Sequence, residues 1–186
     1  MTKFTRRALL AGGAASVAAL AACGNPVGSF NADRLEARVD ATRDYLRQNH
    51  SETEDLFRNA HGILYMPLIS EAGLFVGGSY GEGALRINDI TVDYYSGTRA
   101  SFGFQVGAQQ YAHVLFFMTA QALADFRASE GWAASADIRY AVPEQGGSAG
   151  VQTTTMFSPV IAVVFGQSGL IAGASLAGVR YRRIIP

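Results

Sequence analysis

The sequence predicts one α+β domain, in which N-terminal helices and one internal helix pack on a coiled, mostly antiparallel β-sheet of barrel- or sandwich-like form. Three observations support this prediction. Of the 186 residues, 49% are hydrophobic, which suits one domain with a substantial core. Amphipathic helical patterns occur near the start and once in the middle, and most of the remainder alternates in polarity or forms short apolar runs, as strands do. No repeat of solenoid period is present.

The N-terminal 22 residues have the pattern of a secretory signal peptide, with three basic residues before an apolar run. That run is too short to span a membrane. Its end, residues 20–23 (Leu-Ala-Ala-Cys), resembles a bacterial lipobox, which implies cleavage before Cys23 and lipidation of its thiol. The stretch around Arg6 and Arg7 also resembles a twin-arginine export signal. The alternative is an ordinary signal peptide that happens to contain a cysteine.

If Cys23 is lipidated, residues 23–31 form a tether and residues 32–186 form the folded domain. Gly24, at the position after the cysteine, resembles lipoproteins that are sent to the outer membrane. We therefore expect a cell-envelope protein held by its lipid anchor on the periplasmic face of the outer membrane. Because Cys23 is the only cysteine, an internal disulfide and a cysteine-based metal cluster are both excluded.

Charge argues against nucleic acid as a partner. All three basic residues of the predicted signal precede the first acidic residue, Asp33, so the rest of the chain has a slight excess of acids. A nucleic-acid-binding domain usually has a strong basic surface, which this composition does not supply. Lys3 is the only lysine, so arginine provides all the cationic side chains of the predicted domain.

The first predicted helix, 32–48, has one apolar stripe with arginines on both of its edges. Arg34 and Arg38 flank one edge, and Arg43 and Arg47 flank the other. Such a helix can lie at a lipid surface or pack on a core, and packing is the preferred interpretation. The pattern then predicts a capping box at 51–54, a short helix ending near Asn59 or Ala60, and a strand over 63–67 that Pro67 stops. Further predicted elements are strands at 73–84, 90–95, 100–118, 132–142, 160–165 and 179–185, and a helix at 120–129.

Three of the predicted segments place glycine every fourth residue on a small and polar face, namely 73–83, 101–109 and 167–175. Glycine weakens a strand unless bending or a close approach requires it. Such faces allow strong coiling or close packing of a sheet, and they could also receive a flat or chain-like ligand. Shaping of the sheet is the preferred interpretation.

Enzymatic and metal-binding motifs are weak. Residues 77–81 formally match the G-x-S-x-G nucleophile elbow around Ser79, but no helical pattern follows as that motif requires. The three histidines lack metal-ligand spacing, and His113 lies in an apolar run typical of a core. We find no phosphate-binding loop and no dinucleotide fingerprint. The sequence therefore predicts a protein without metal, cofactor or enzymatic activity, and a hydrolase using Ser79 is a remote alternative.

A second cationic group lies at the C-terminal end, where Arg180, Arg182 and Arg183 fall on the last predicted strand. One guanidinium group can bind two phosphate oxygens at once through parallel N–H donors, so these side chains could contact lipid head groups. A solvated strand whose arginines pair with nearby acids is the simpler interpretation. Together with the four helix arginines, they form the candidate lipid-binding set.

Several blocks of sequence, in order, carry a family resemblance. They are 62–67 (GILYMP), 72–83 (AGLFVGGSYGEG), 94–95 (YY), 100–109 (ASFGFQVGAQ), 117–119 (FMT), 126–132 (FRASEGW), 153–155 (TTT), 158–159 (SP) and 165–173 (FGQSGLIAG). Together they resemble the SYLF domain, which occurs in eukaryotic lipid-binding proteins, in yeast actin-patch regulators and in many bacterial lipoproteins. The resemblance covers roughly 32–186.

This resemblance implies a non-enzymatic protein that binds phosphoinositide or other anionic lipid, with actin as a further partner in the yeast members. For this chain we expect a membrane- or lipid-binding envelope lipoprotein. The alternative is a scaffold that binds other proteins of the cell envelope.

Overall fold

A computed structural model describes residues 30–134, 138–141, 158–166, 169–170 and 176–186, with only the backbone of Phe30, 73–76, 101–108, 139–141 and 169–170. The predicted signal peptide, Cys23 and most of the tether lie outside these residues. So does most of the third glycine-rich run, 167–175.

Three α-helices and seven strands make up the described residues, and they confirm the expected α+β class. Their bounds are α1 (Phe30–Asn49), α2 (Glu54–Asn59), β1 (Gly62–Ile87), β2 (Ile90–Phe117), α3 (Ala120–Ala128), β3 (Trp132–Ala133), β4 (Arg139–Ala141), β5 (Val160–Gly166), β6 (Gly169–Leu170) and β7 (Arg180–Ile184). The sheet order is β3-β7-β2-β5-β4, with β1 on β2 and β6 on β5. Only the β4–β5 pair is parallel among the described strands.

The fold is built around one long hairpin of β1 and β2, which pair antiparallel over nearly their whole length. Ile87 pairs with Ile90, so the loop consists of Asn88 and Asp89 alone. Both loop residues have positive φ, 51° and 61°. A two-residue loop with positive φ at both positions matches the right-handed twist of the strands it joins, and Asn and Asp tolerate that conformation.

The hairpin curls so strongly that the two halves of β1 touch. A Cβ atom added at Gly81 would lie 2.3 Å from the carbonyl oxygen of Leu68, and one at Gly83 would lie 2.0 Å from that of Tyr65. Real Cβ atoms do not approach backbone oxygens so closely, so any larger residue at 81 or 83 would force the strand apart. Close packing of the sheet on itself is therefore what these two glycines allow.

Two apolar cores lie on opposite faces of the sheet, because successive side chains of β2 point to opposite sides. Tyr111, His113, Leu115 and Phe117 face the core that α3 covers, and Leu123 and Phe126 are buried there as the sequence predicted. The intervening residues of β2 face the second core, which α1 and α2 cover; they are Ala112, Val114 and Phe116.

Packing of α1 on the sheet, the preferred interpretation of its amphipathic stripe, is confirmed. Leu35, Val39, Thr42 and Leu46 are buried against the second core. Their spacing of three and four residues places them on one face of the helix. No helix in the described part of the chain is both long enough and apolar enough to cross a membrane.

The expectation that Pro67 stops the strand is wrong, since β1 continues from Gly62 to Ile87. Proline has no N–H to donate to the ladder, and the pairing accordingly shifts here. Met66 pairs with His113, while Ile69 pairs with Tyr111. This β-bulge accommodates the proline without ending the strand. The predicted strands at 90–95 and 100–118 are likewise one strand, β2.

Two further expectations also differ from the structure. Ser51 does not cap a helix, because 51–53 forms a 3₁₀ turn and the Thr53 hydroxyl donates to the His50 carbonyl instead. The predicted strand 132–142 is split, since β3 pairs with β7 whereas β4 pairs with β5. The short helix after the turn ends at Asn59 as predicted.

Candidate functional site

Two clefts lie between α1 and the sheet, and we refer to them together as the α1 groove. One has a volume of about 410 Å³ and the other about 330 Å³. Arg38, Pro67 and Leu68 line both, so the clefts meet at the β-bulge. The first is also lined by Ala41, Thr42, Tyr45, Gln110, Tyr111, Ala112, Phe165 and Gly166, and the second by Asn31, Arg34, Leu35, Ser70, Tyr80, Gly81 and Glu82.

Local geometry explains why a groove exists here. The buried stripe of α1 holds the helix on the sheet, but the residues beside the stripe stand over the bulge rather than over a regular ladder. Leu68 is held below them, because its backbone packs on Gly81 of the same strand. Small residues on both walls, Ala41 on α1 and Ala112 on β2, leave the gap unfilled.

Arg34 and Arg38 are exposed on this side of α1, and neither makes an ion pair with a described residue. The acid that lines the same cleft, Glu82, accepts a hydrogen bond of 2.6 Å from the Tyr80 hydroxyl. Partial burial and this carboxylate raise the pKa of Tyr80 to about 12, so Tyr80 stays a neutral donor. The groove thus offers two unpaired guanidinium groups against one carboxylate.

The other two predicted arginines of α1 are already engaged. Arg43 forms ion pairs with Asp40 and Asp44, at 3.5 and 3.0 Å. The Arg47 guanidinium carbon lies 4.9 Å from the ring centroid of Phe57, in cation–π geometry. These arginines lie on the opposite edge of the helix from the groove, as the sequence spacing indicated.

The arginines of β7 also divide. Arg183 pairs with Asp93 at 3.2 Å and donates to the Arg127 carbonyl. Arg180 and Arg182 are exposed, lie on one face of the strand, and make no ion pair with a described residue. The seven predicted arginines therefore include two sets of neighbours that make no ion pair with a described residue. Arg34 and Arg38 lie beside the α1 groove, and Arg180 and Arg182 lie on β7.

Sequence reasoning missed Arg86, which joins α1 to the hairpin. Its side chain is 7% exposed and donates to Glu36 at 2.5 Å, to Asp40 at 2.7 Å and to Thr91 at 3.2 Å. Burial alone would raise the pKa of Glu36, but hydrogen bonds from Arg86 and Thr91 outweigh it and the pKa is lowered. The Arg86 hydrogen bond likewise lowers the pKa of Asp40. Its two acids are 46 and 50 residues away in the sequence, so no local pattern indicates this pairing.

Ser79 does not have the setting of a nucleophile elbow. It lies within continuous β1, opposite Arg99 of β2, and its side chain is buried. The elbow needs a strand, a sharp turn and a helix, and the described chain forms only the strand here.

His113 is a core residue, as the sequence indicated. It is fully buried, and its Nε2 lies 2.7 Å from the Tyr181 hydroxyl. Burial lowers its pKa to about 3, so the ring is neutral at physiological pH. Among the described residues, no cluster of three or more side chains could hold a metal ion.

A stretch in the second half of the chain matches a known protein family. Residues 98–183 match the family model Ysc84, described as Las17-binding protein actin regulator. This match agrees with the predicted resemblance to the SYLF domain family over these residues. SYLF domains are associated with lipid binding and are generally non-enzymatic. No curated protein matches the chain. The matched SYLF region runs from the middle of β2 to β7, so Arg34 and Arg38 of the α1 groove precede it.

Proposed function

We propose that this SYLF protein is a non-enzymatic lipid- or membrane-binding protein of the cell envelope, and that the α1 groove is its lipid-contacting surface. The observation that carries the proposal is the position of Arg34 and Arg38, two unpaired guanidinium groups at the rim of an apolar groove. Guanidinium groups match the oxygens of phosphate and carboxylate head groups, and the apolar walls match acyl chains. The lipid association of SYLF domains supports the same assignment.

Membrane attachment through Cys23 is part of the proposal. Two or more acyl chains would anchor the chain stably, since each buried methylene contributes about 0.8 kcal/mol. The groove would then work close to a membrane surface, on the periplasmic face of the outer membrane. Metabolic labelling with palmitate should mark the protein, and Cys23→Ser should abolish the label; labelling that persists in Cys23→Ser would refute the anchor.

Vesicle flotation tests the lipid-binding proposal. The chain that starts at residue 23 and carries Cys23→Ser lacks both the predicted signal and the anchor, so any flotation comes from the domain. It should float with vesicles that contain an anionic phospholipid and bind less to neutral ones, and added salt should weaken the binding. Failure to float with either kind of vesicle would sink the proposal.

The second candidate is a scaffold that binds envelope proteins. It is favoured by exposed apolar side chains near the hairpin tip and the C-terminal end, where Ile90 is 68% and Ile185 is 80% exposed. Val92 and Ile185 line a further cleft of about 340 Å³. Isolated exposed apolar residues are ordinary, but a group of them marks an interaction surface. Crosslinking in cells should trap a defined partner if this function is correct, and vesicle flotation should be negative.

A further inference from the structure

The two halves of the α1 groove differ in chemistry. The larger half has apolar walls, with Ala41 and Tyr45 on α1 facing Ala112 and Phe165 on the sheet. The Tyr45 and Phe165 rings are stacked, with centroids 5.3 Å apart, so this wall is a fixed aromatic surface. The smaller half contains Arg34, and Arg38 stands where the halves meet. An apolar compartment that continues into a cationic one matches an amphiphile, which has an apolar tail and an anionic head group.

The volume of the apolar half indicates how long an acyl chain it can hold. It measures about 410 Å³, within the range of about 300–1,000 Å³ that small-molecule sites occupy. A methylene group is similar in size to a water molecule, whose share of liquid volume is about 30 Å³, so about a dozen such groups would fill this half. One acyl chain of medium length therefore matches this volume, and the two tails of a phospholipid exceed it.

The charges at the junction set the head group. Arg34 and Arg38 are one helical turn apart, so their guanidinium groups can reach a single anion. Glu82 faces the same half, and with two arginines against one carboxylate the local charge is positive.

We propose that the α1 groove binds a single-chain anionic amphiphile, with its carboxylate or phosphate on Arg34 and Arg38 and its tail against Ala112 and the stacked rings of Tyr45 and Phe165. This inference rests on the proposed function. It specifies the ligand of the groove as one lipid molecule rather than a membrane surface.

Calorimetric titration below the micelle concentration tests the ligand class. The chain from residue 23 with Cys23→Ser should bind dodecanoate and dodecyl phosphate saturably, with one site per chain. Uncharged dodecanol should bind at least about tenfold more weakly, because it lacks the charge that the arginines bind. The tighter of the two anions identifies the source, a fatty acid or a phosphate-bearing lipid. Equal affinity for dodecanol would overturn the proposal.

Two matched tryptophan variants test the location. Ala41→Trp fills the apolar half, whereas Ala37→Trp adds the same side chain to an exposed position of α1 that does not line the groove. Ala41→Trp should weaken both anions at least about tenfold, and Ala37→Trp should leave them within about twofold. Anion binding that is unchanged in folded Ala41→Trp would overturn the proposal. If Ala41→Trp does not fold, Arg38→Gln replaces it with the same expected loss and the same criterion.

Vesicle flotation in parallel separates this inference from the proposed function. If the parent chain floats with anionic vesicles but binds neither dodecanoate nor dodecyl phosphate, the single-chain inference is wrong and the proposed function stands. If it does neither, both are wrong. Loss of amphiphile binding in Ala41→Trp with flotation retained supports the single-chain inference, because Arg34 and Arg38 are still present at the groove rim to contact anionic vesicles.

Discussion

The two edges of α1 face the same sheet, but they differ in whether their charged side chains are paired and in whether a groove remains beside them. On the paired edge, which comprises Glu36, Asp40 and Arg43, acids and arginines neutralise one another, and Arg86 closes the gap to the hairpin. On the open edge, which comprises Arg34, Arg38, Ala41 and Tyr45, no ion pair forms among the described residues and a groove remains. The helix as a whole is neutral, with four acids and four arginines, so its composition does not reveal the difference between the edges.

The comparison shows that the role of an arginine depends on what the sheet presents to it. Opposite the paired edge, β1 is near its tight turn and carries Arg86 toward the helix. Opposite the open edge, β1 bulges at Pro67 and Leu68, and no acid among the described residues of the sheet lies within ion-pair distance of Arg38. We infer that the paired edge holds the fold together and that the open edge is available for a ligand.

The largest expected effect on stability comes from Gly81, which packs on Leu68 below the open edge. Gly81→Ala places a Cβ atom against the Leu68 carbonyl, and because both are backbone-bound neither can rotate away. We expect a loss of more than about 3 kcal/mol in the free energy of unfolding, measured by urea denaturation. Gly78→Ala is the control, since its Cβ would lie 3.3 Å from the Arg99 carbonyl, and it should cost less than about 1 kcal/mol. Equal losses for the two would mean that β1 does not cross itself at Gly81.

Removing the charge at the paired edge should come next. Arg86→Met keeps the apolar stem but leaves Glu36 and Asp40 without their donor. We expect a loss of about 2 kcal/mol in unfolding free energy, because both acids are partly exposed and water can rehydrate them. Arg58→Met is the control, since Arg58 forms an exposed pair with Asp55, and it should cost less than about 1 kcal/mol. An Arg86→Met chain as stable as its parent would show that apolar packing alone holds α1.

Acid should weaken the paired edge in the same way. Because the folded-state pKa values of Glu36 and Asp40 are lowered, their contribution is fully present above the ordinary values, 4.5 and 3.8, and is lost as pH falls through the folded values. Unfolding free energy should therefore decline more steeply below about pH 4.5 in the parent than in Arg86→Met. Parallel declines would show that Arg86 is not what lowers these pKa values.

The smallest effect is expected at Arg43, whose partners Asp40 and Asp44 are about half exposed. Arg43→Gln should change the free energy of unfolding by less than about 1 kcal/mol, since solvent screens such pairs. It should also leave vesicle binding unchanged, because Arg43 lies on the paired edge. A marked loss of flotation in Arg43→Gln would contradict the division of α1 into two edges.

Periodicity and local signals were enough to predict much of the fold. The stripe from Leu35 to Leu46 and the inward positions Leu123 and Phe126 follow from a helical period alone. The apolar run around His113 indicated a core strand, and the spacing of Arg34 and Arg38 indicated a shared edge. Each of these features depends on residues within a few positions of one another.

Features that depend on distant residues were not predictable in this way. Arg86 and its acids are 46 and 50 residues apart, so no local pattern joins them. Proline usually ends a strand, and only the pairing of β1 with β2 reveals that Pro67 sits in a bulge instead. The α1 groove at the open edge likewise depends on that bulge, which lies beneath the helix. By contrast, the Asn88–Asp89 loop between apolar strands is a local feature that is typical of a hairpin.

One flotation experiment tests the central claim most directly, because the chain offers two matched pairs of unpaired arginines. In the chain from residue 23 with Cys23→Ser, one double variant carries Arg34→Gln and Arg38→Gln, and the other carries Arg180→Gln and Arg182→Gln. Both remove the same charge from exposed positions. The first should lose at least about tenfold in affinity for anionic vesicles, and the second should stay within about twofold. Loss in the β7 pair with binding intact in the α1 pair would contradict the groove as the lipid-contacting surface.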